Sequence, residues 1–204
     1  MKHPALQTRE EQIHIIFKTL SDAAKASEFV ELSDLVGLIT TIGNNMYSDD
    51  NDQLNCFKGD MFEVFAEGYF TLVKSKNSSG IINYEPLHGQ GDDYGVDGFG
   101  TNYSNQPSVV QVKYRSNPKD LITYSALANT WHQAEEDDMV PESKKLWRRT
   151  MILFTNSYGA NDNAVKRNKK YDRLFVINKP TIESEVNGNL IFWQDLYNLI
   201  KDSK

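Results

Sequence analysis

Residues 91–115, GDDYGVDGFGTNYSNQPSVVQVKYR, decide how this chain folds. Two runs within it, DYGVDGFG and SVVQVKYR, have the residue types of β-strands, and the turn-rich TNYSNQP joins them. Such a hairpin brings Asp97 on its first strand towards Gln111 and Lys113 on its second. The stretch therefore predicts that a carboxylate, an amide and an ammonium group meet at one place.

The second strand of this hairpin has two chemically different faces. Side chains alternate along a strand, so Gln111 and Lys113 share one face while Val110, Val112 and Tyr114 share the other. We expect the second, apolar set to face the core. The polar pair then points outward from the sheet.

Glycines surround the aspartate of the first strand. Gly95, Gly98 and Gly100 flank Asp97, and glycines inside a strand often mark a bulge or the close approach of a ligand. We interpret them as leaving room for a large anionic substrate.

The polar group supports two interpretations. Asp97 beside Lys113 could be an ordinary structural ion pair. The amide oxygen of Gln111, together with a carboxylate from Glu63 or Glu67 on the preceding helix, would instead form an oxygen-rich site for a hard divalent cation such as Mg²⁺. With a lysine next to it, such a site has the equipment to hydrolyse a phosphodiester.

The rest of the chain predicts an α/β fold. Helical periodicity and capping patterns, beginning with Thr8 as an N-cap, alternate with short apolar strands. A polar segment over 44–55 is the best boundary and separates an N-terminal helical extension, 1–50, from a domain over 51–204. Predicted helices cover 8–29, 31–43, 58–73, 117–138 and 192–202, and predicted strands cover 81–87, 93–100, 108–115, 150–157 and 173–179.

Composition excludes several classes of protein. The 204 residues carry a net charge of −6, which argues against a protein that coats nucleic acid through bulk charge. The single cysteine, Cys56, excludes a disulfide framework and a cysteine-based zinc site. No secretory signal and no membrane span are predicted, so we expect a cytoplasmic protein of a bacterial or phage-infected cell.

Histidines and loop acids are weaker candidates. His3, His14 and His132 are isolated and have no zinc-ligand spacing. Three further candidates lie in a predicted loop, namely His88, Asp92 and Asp93. We expect their side chains to be solvated, and the alternative is a role at the metal.

With the motifs in place, the chain resembles the PD-(D/E)xK nuclease superfamily. The residues that carry the resemblance are FE on a helix, then GVDGFG, then QVKYR, and the order of surrounding elements extends it over about residues 57–200. The glutamine is typical of the Mrr-like restriction endonuclease group. The resemblance implies a restriction-endonuclease-like mixed central sheet flanked by helices, to which the N-terminal helices are added.

The resemblance also implies roles for individual residues. Asp97 would be the central metal ligand, Gln111 would take the position of the second ligand, and Lys113 would assist the attacking water. Glu63 matches the helix glutamate of the family, with Glu67 as the fallback. Mg²⁺ is the expected cofactor, for which Mn²⁺ substitutes. Val96 stands where the family has its leading proline.

A basic stretch in an acidic chain predicts contact with DNA, because phosphates are bound by lysine and arginine. The expected activity is that of a Mg²⁺-dependent DNA endonuclease of restriction or homing type, with a homodimer or a higher homo-oligomer as an option for its assembly. The alternatives are a non-cleaving nucleic-acid-binding module and a structure-selective junction or repair nuclease. The candidate DNA contacts are Arg115, Lys144, Lys145, Arg148, Arg149, Lys166, Arg167, Lys169 and Lys170.

Overall fold

A computed structural model describes residues 30–73, 80–87, 95–102, 107–128, 130, 150–169 and 174–202. The helix predicted over 8–29, with its cap at Thr8, lies outside these ranges. No helix in the described part of the chain is long and apolar enough to cross a lipid bilayer.

Among the helices and strands that the structure describes in full, two helices precede four strands, which are followed by a helix, a strand and two more helices. The helices are α1 (Leu32–Met46), α2 (Asn51–Leu72), α3 (Asp162–Lys169), α4 (Lys179–Val186) and α5 (Leu190–Asp202). The strands are β1 (Ile81–Pro86), β2 (Gly98–Asn102), β3 (Pro107–Lys113), β4 (Thr150–Thr155) and β5 (Leu174–Ile177).

The chain divides into two compact units. The first combines Met1–Val73 with Glu183–Lys204, and the second is Lys74–Ile182. The first unit holds α1, α2 and α5, and the second holds all five strands and α3. The proposed division of the sequence after residue 50 stays a prediction.

The end of α1 differs from the prediction. Gly43 was expected to terminate the helix, but the helix continues to Met46, and Tyr47 N–H still bonds the Gly43 carbonyl at 2.8 Å. A Cβ at position 43 would lie 2.7 Å from Leu54 Cδ1 and 3.1 Å from the Phe57 ring. This glycine therefore allows two helices to approach each other and is not a stop signal.

The predicted polar loop over 44–55 is much shorter than expected. Only four residues, 47–50, separate α1 from α2. The reason is Asp50, whose side chain accepts hydrogen bonds from Asp52 N–H at 3.1 Å and from Gln53 N–H at 3.0 Å. This N-cap starts α2 at Asn51, seven residues before the predicted start.

Aromatic side chains form the core of the first unit. The predicted stripe on α2 is buried, and Phe65 stacks on Trp193 of α5 with ring centroids 6.2 Å apart. Trp193 Nε1 donates to the Val186 carbonyl at 2.9 Å, so its one polar group is satisfied. Leu32 N–H donates to Asn187 Oδ1 at 2.9 Å and joins the start of α1 to the turn before α5.

The second unit is built on a five-stranded mixed sheet with the strand order β1-β2-β3-β4-β5. β1, β2 and β3 pair antiparallel, whereas β3, β4 and β5 pair parallel. This arrangement confirms the predicted α/β class and the mixed central sheet. The continuous apolar run in β4 is buried on both faces, as such runs usually are.

β3 is also covered on both faces, which corrects one expectation. Gln111 was expected to point outward, but it is 1% exposed. Val109, on the same face by alternation, belongs to a core cluster with Ile122 and Leu127 from the segment after β3. Tyr114, expected in the core, lies just beyond the strand and is half-buried.

The helix after β3 starts later than predicted. Pro118 lies in a turn over 116–120, and helical residues begin at 124. Asn117 Oδ1 accepts from Lys119 N–H at 3.1 Å, an Asx turn that competes with helix formation. Thr123 Oγ1 accepts from Ala126 N–H at 3.3 Å and caps the helix that follows.

Gly68 tests the packing of α5 on α2. A Cβ at this position would overlap Leu196 Cδ1, whereas a Cβ at Gly59 of the same helix meets nothing within 4 Å. We expect Gly68→Ala to lower the free energy of unfolding by about 1–3 kcal/mol. Gly59→Ala should raise it by about 0.5–1 kcal/mol, because alanine favours the helix. Equal effects in urea titrations would contradict this packing.

Glu185 should make stability depend on pH. Burial raises the pKa of this carboxyl from 4.5 to about 7, and no described residue makes a hydrogen bond with its buried Oε2. The folded state then holds a proton that the unfolded state releases between these values, so stability falls as pH rises through about 7.

Glu185→Gln should remove this loss of stability at higher pH. We expect thermal unfolding of the variant to match the wild type at about pH 5 and to occur at a higher temperature at about pH 8. Asp195→Asn, which alters an exposed carboxylate on α5, is the control. A variant that is no more stable than the wild type at the higher pH would refute the assignment.

Candidate functional site

The backbone of Asp97 is held from both sides. Its N–H donates to the Val110 carbonyl of β3 at 2.9 Å. Its carbonyl accepts from Leu87 N–H at 3.0 Å and from the Tyr84 hydroxyl at 3.3 Å, on the β1 side. The residue that precedes β2 is therefore fixed by both neighbouring strands.

The carboxylate of Asp97 points at β3. It is 8% exposed, and its Oδ2 accepts a 2.6 Å hydrogen bond from Val112 N–H. The ladder between the two strands ends at Gly98 and Val110, so the side chain supplies the acceptor that a continued β2 would have offered. This short, charge-assisted bond sets the carboxylate between the levels of Gln111 and Lys113.

Gln111 buries its amide oxygen. Its side chain is 1% exposed, and Oε1 makes no hydrogen bond with any residue that the structure describes. Leaving a buried acceptor unsatisfied costs about 1–3 kcal/mol, which a ligand of that oxygen would recover. Mg²⁺ prefers oxygen ligands such as carboxylates and amide carbonyls, and Asp97 and Gln111 are of these types, so they fit the metal that the resemblance implies.

Gly95 makes room for the amide of Gln111. Its φ is +80°, and a Cβ there would lie 2.8 Å from both Gln111 Nε2 and Thr130 Oγ1. Thr130 Oγ1 donates to the Gly95 carbonyl at 2.7 Å and holds the turn in place. Sequence reasoning gave no role to Thr130, because nothing in its spacing links it to a turn 35 residues earlier.

The glycines around Asp97 therefore accommodate the protein itself, not a substrate as expected. A Cβ at Gly98 would lie 2.5 Å from the Tyr84 ring, and one at Gly100 would lie 2.9 Å from the Asn83 carbonyl. Both positions let β1 lie close to the strand that follows Asp97.

Lys113 ends β3 and is half-buried. Its carbonyl accepts a 2.6 Å hydrogen bond from Thr155 Oγ1, and its register partner on the parallel strand β4 is Thr155. Among the described residues, no carboxylate lies within 4.0 Å of its ammonium group. An ion pair with Asp97, the structural alternative, is therefore not formed.

The helix acids lie in the other unit of the chain. Glu63 and Glu67 are half-buried residues of α2 in the first unit, whereas Asp97, Gln111 and Lys113 belong to the second. The part played by either glutamate at the metal stays a prediction. Within the described ranges, no three or more His, Cys, Asp or Glu side chains form a group that could hold a metal ion.

Three buried polar residues at the end of β4 were not predicted as part of the site. Asn156 Oδ1 accepts from Arg115 N–H at 2.6 Å, and its Nδ2 donates to the Arg115 carbonyl at 2.8 Å. Ser157 N–H donates to Thr155 Oγ1 at 3.1 Å. Polar residues directly after an apolar strand were the available signal, since ligands of α/β sheets gather at the carboxyl ends of strands.

The predicted DNA contacts are described only in part. Arg115 Nη1 donates to the Tyr114 carbonyl at 3.0 Å. On α3, the ammonium nitrogen of the exposed Lys166 lies 4.0 Å from Asp162 Oδ2. The backbones of Arg167 and Lys169 are in α3, and their side chains are outside the description. The residues that lie wholly outside it are Lys144, Lys145, Arg148, Arg149, Lys170, His88, Asp92 and Asp93.

Comparison with known proteins adds little. No protein-family model matches the chain, and no curated protein matches it. Among solved structures, it is similar to the MspJI restriction endonuclease in complex with a 27-mer oligonucleotide, with 16% identity and a TM-score of 0.39. The likeness covers 98% of this chain and 38% of that one, so this chain spans well under half of MspJI. A TM-score of 0.39 does not support an argument about function.

In Gly95→Ala, the added methyl group should collide with the side-chain amide of Gln111. Gly188, with φ +68° and nothing within 4 Å of a Cβ, is the matched control, because alanine at that position would destabilise the fold only through its left-handed backbone conformation. We expect Gly95→Ala to lower the free energy of unfolding by about 1–3 kcal/mol more than Gly188→Ala, through overpacking. Equal losses in chemical denaturation would mean that the amide does not occupy this space.

Proposed function

We propose that this chain is a metal-dependent DNA endonuclease that hydrolyses phosphodiester bonds, of restriction or homing type. One observation carries the proposal. The buried amide oxygen of Gln111 has no hydrogen-bond partner among the described residues, and a short hydrogen bond fixes the Asp97 carboxylate on the backbone of Val112, the next residue of β3. A cation that binds both oxygens would compensate the cost of the unsatisfied one.

Mg²⁺ is the proposed cofactor, and Mn²⁺ would substitute for it. Asp97 and Gln111 would hold it, with Glu63 from α2 as a further ligand and Glu67 as the fallback. When bound, the ion lowers the pKa of a water molecule and offsets charge on a phosphate. The protein contributes a carboxylate whose position is set before any ligand arrives, because Oδ2 is already bonded to Val112 N–H at 2.6 Å.

Lys113 and Arg115 would act on the substrate. Lys113 has no carboxylate of the described residues within 4.0 Å, so its ammonium group can orient the attacking water or bind a phosphate oxygen. Its backbone is fixed by Thr155, and the backbone of Arg115 is fixed by Asn156. Side chains on such anchored positions lose less entropy when they bind a phosphate.

A second candidate function is a nucleic-acid-binding module that does not cut. It is favoured by the absence, within the described ranges, of a group of three or more acids, histidines or cysteines. Such a chain could still bind phosphates through its basic residues. A DNA-cleavage assay distinguishes the two functions.

Plasmid cleavage tests the proposal. With Mg²⁺ or Mn²⁺ we expect the wild type to nick or linearise DNA, and a chelator to stop it. Asp97→Asn should reduce the rate at least ~100-fold, and its amide oxygen can still accept from Val112 N–H, so the fold is retained. Lys113→Met should reduce the rate by roughly 100-fold as well, because the ammonium group is lost.

Asp195→Asn is the matched control for Asp97→Asn, because Asp195 is an exposed carboxylate on α5, outside the proposed site. Linear, nicked and branched duplexes tested in parallel would identify a structure-selective enzyme. Tight metal-independent DNA binding without cleavage of any substrate would establish the binding module. Full activity of Asp97→Asn would rule out the proposed site.

A further inference from the structure

An exposed aromatic side chain lies on a fixed backbone at the end of β4. Tyr158 is 50% exposed. Its N–H donates to the Pro118 carbonyl at 2.9 Å, and its carbonyl accepts from Asn178 Nδ2 at 3.1 Å. Both polar backbone groups of the residue are thus held while half of its side chain faces solvent.

The two loops at this end of the sheet are bonded to each other along their length. Besides the two bonds between Asn156 and Arg115, Ile122 N–H donates to the Gly159 carbonyl and Asn161 N–H donates to the Ile122 carbonyl, each at 2.9 Å. We refer to residues 113–122 and 155–161 together as the strand-end platform. Its backbone is set by the fold and not by a ligand.

The platform begins at the proposed site. Lys113 pairs with Thr155, and Tyr158 follows Thr155 by three residues. Since an extended chain spans at most about 3.6 Å per residue, the Cα atoms of Thr155 and Tyr158 lie within roughly 11 Å of each other. The tyrosine is therefore within a few nucleotide spacings of Lys113.

The charge of the platform suits an anionic polymer. The whole chain has a net charge of −6, but the platform has three basic residues, Lys113, Arg115 and Lys119, against one acid, Asp120. Leu121, which is 43% exposed, adds apolar surface to the loop beside Tyr158. Basic groups next to an exposed aromatic ring are the combination that binds unstacked bases of nucleic acids.

We propose that Tyr158 is a nucleic-acid contact that stacks on a base next to the phosphodiester to be cut. This inference rests on the proposed function, because the basic residues that place the strand are those of the proposed site. The fixed backbone favours stacking, because a ring that is already positioned loses little conformational entropy on binding. Tyrosine needs only its ring for stacking, so its hydroxyl is dispensable here.

Binding without catalysis tests this inference. The dissociation constant for a duplex with a single-stranded end would be measured in chelator for the wild type, Tyr158→Ala and Tyr158→Phe. We expect the alanine variant to bind ~10- to 100-fold more weakly, and the phenylalanine variant to bind like the wild type. The salt dependence should be the same for all three, because no phosphate contact is removed.

Phe175→Ala is the matched control, because Phe175 is 47% exposed on β5, outside the platform, and should not affect binding. Unchanged thermal unfolding of Tyr158→Ala would show that the fold is intact. The inference would be overturned if Tyr158→Ala bound like the wild type, if Phe175→Ala weakened binding equally, or if the wild type did not bind DNA.

The proposed function can fail separately from this inference. A wild type that binds in the expected way but cleaves nothing in Mg²⁺ would refute the endonuclease and leave the role of Tyr158 supported. If Tyr158→Ala changed the sedimentation of the protein alone and left DNA binding unaffected, the platform would join two copies of the chain, and the stacking role would be refuted.

Discussion

The hydrogen bond from Val112 N–H to the Asp97 carboxylate is the interaction on which the candidate site depends. β2 stops pairing with β3 at Gly98, and without this bond the amide of Val112 would have no acceptor on that side. A side chain completes the ladder next to Gln111, whose buried amide oxygen has no hydrogen-bond partner among the described residues. One contact thus completes the sheet and fixes the carboxylate that the proposed site uses.

The sequence predicted the sheet well because its strands follow simple rules. The alternation in β3 and the apolar run of β4 both correspond to strands of the mixed sheet. Helix boundaries were less predictable. Gly43 was taken as a helix end although it serves close packing, and the cap at Asp50 was overlooked within a polar segment. In both cases a tertiary contact or a side-chain cap outweighed the local signal.

The candidate site could be predicted only as far as neighbouring strands determine it. Strand pairing predicts that Asp97, Gln111 and Lys113 lie near one another, and their role stays a prediction, whereas Thr130 and Asn156 make contacts between parts of the chain that are distant in sequence. The glycine pattern was recognised but misassigned, since Gly95 accommodates the amide of Gln111. The role of Glu63 at the metal stays a prediction.

The division of the chain has a consequence for its synthesis. The second unit, Lys74–Ile182, is one uninterrupted stretch that can fold as it leaves the ribosome. The aromatic face of α2 cannot be covered so early, because Trp193, on which Phe65 stacks, emerges more than a hundred residues later. At about 5–20 residues per second, that face stays exposed for several seconds or longer, and during that time its apolar surface makes the nascent chain prone to aggregation.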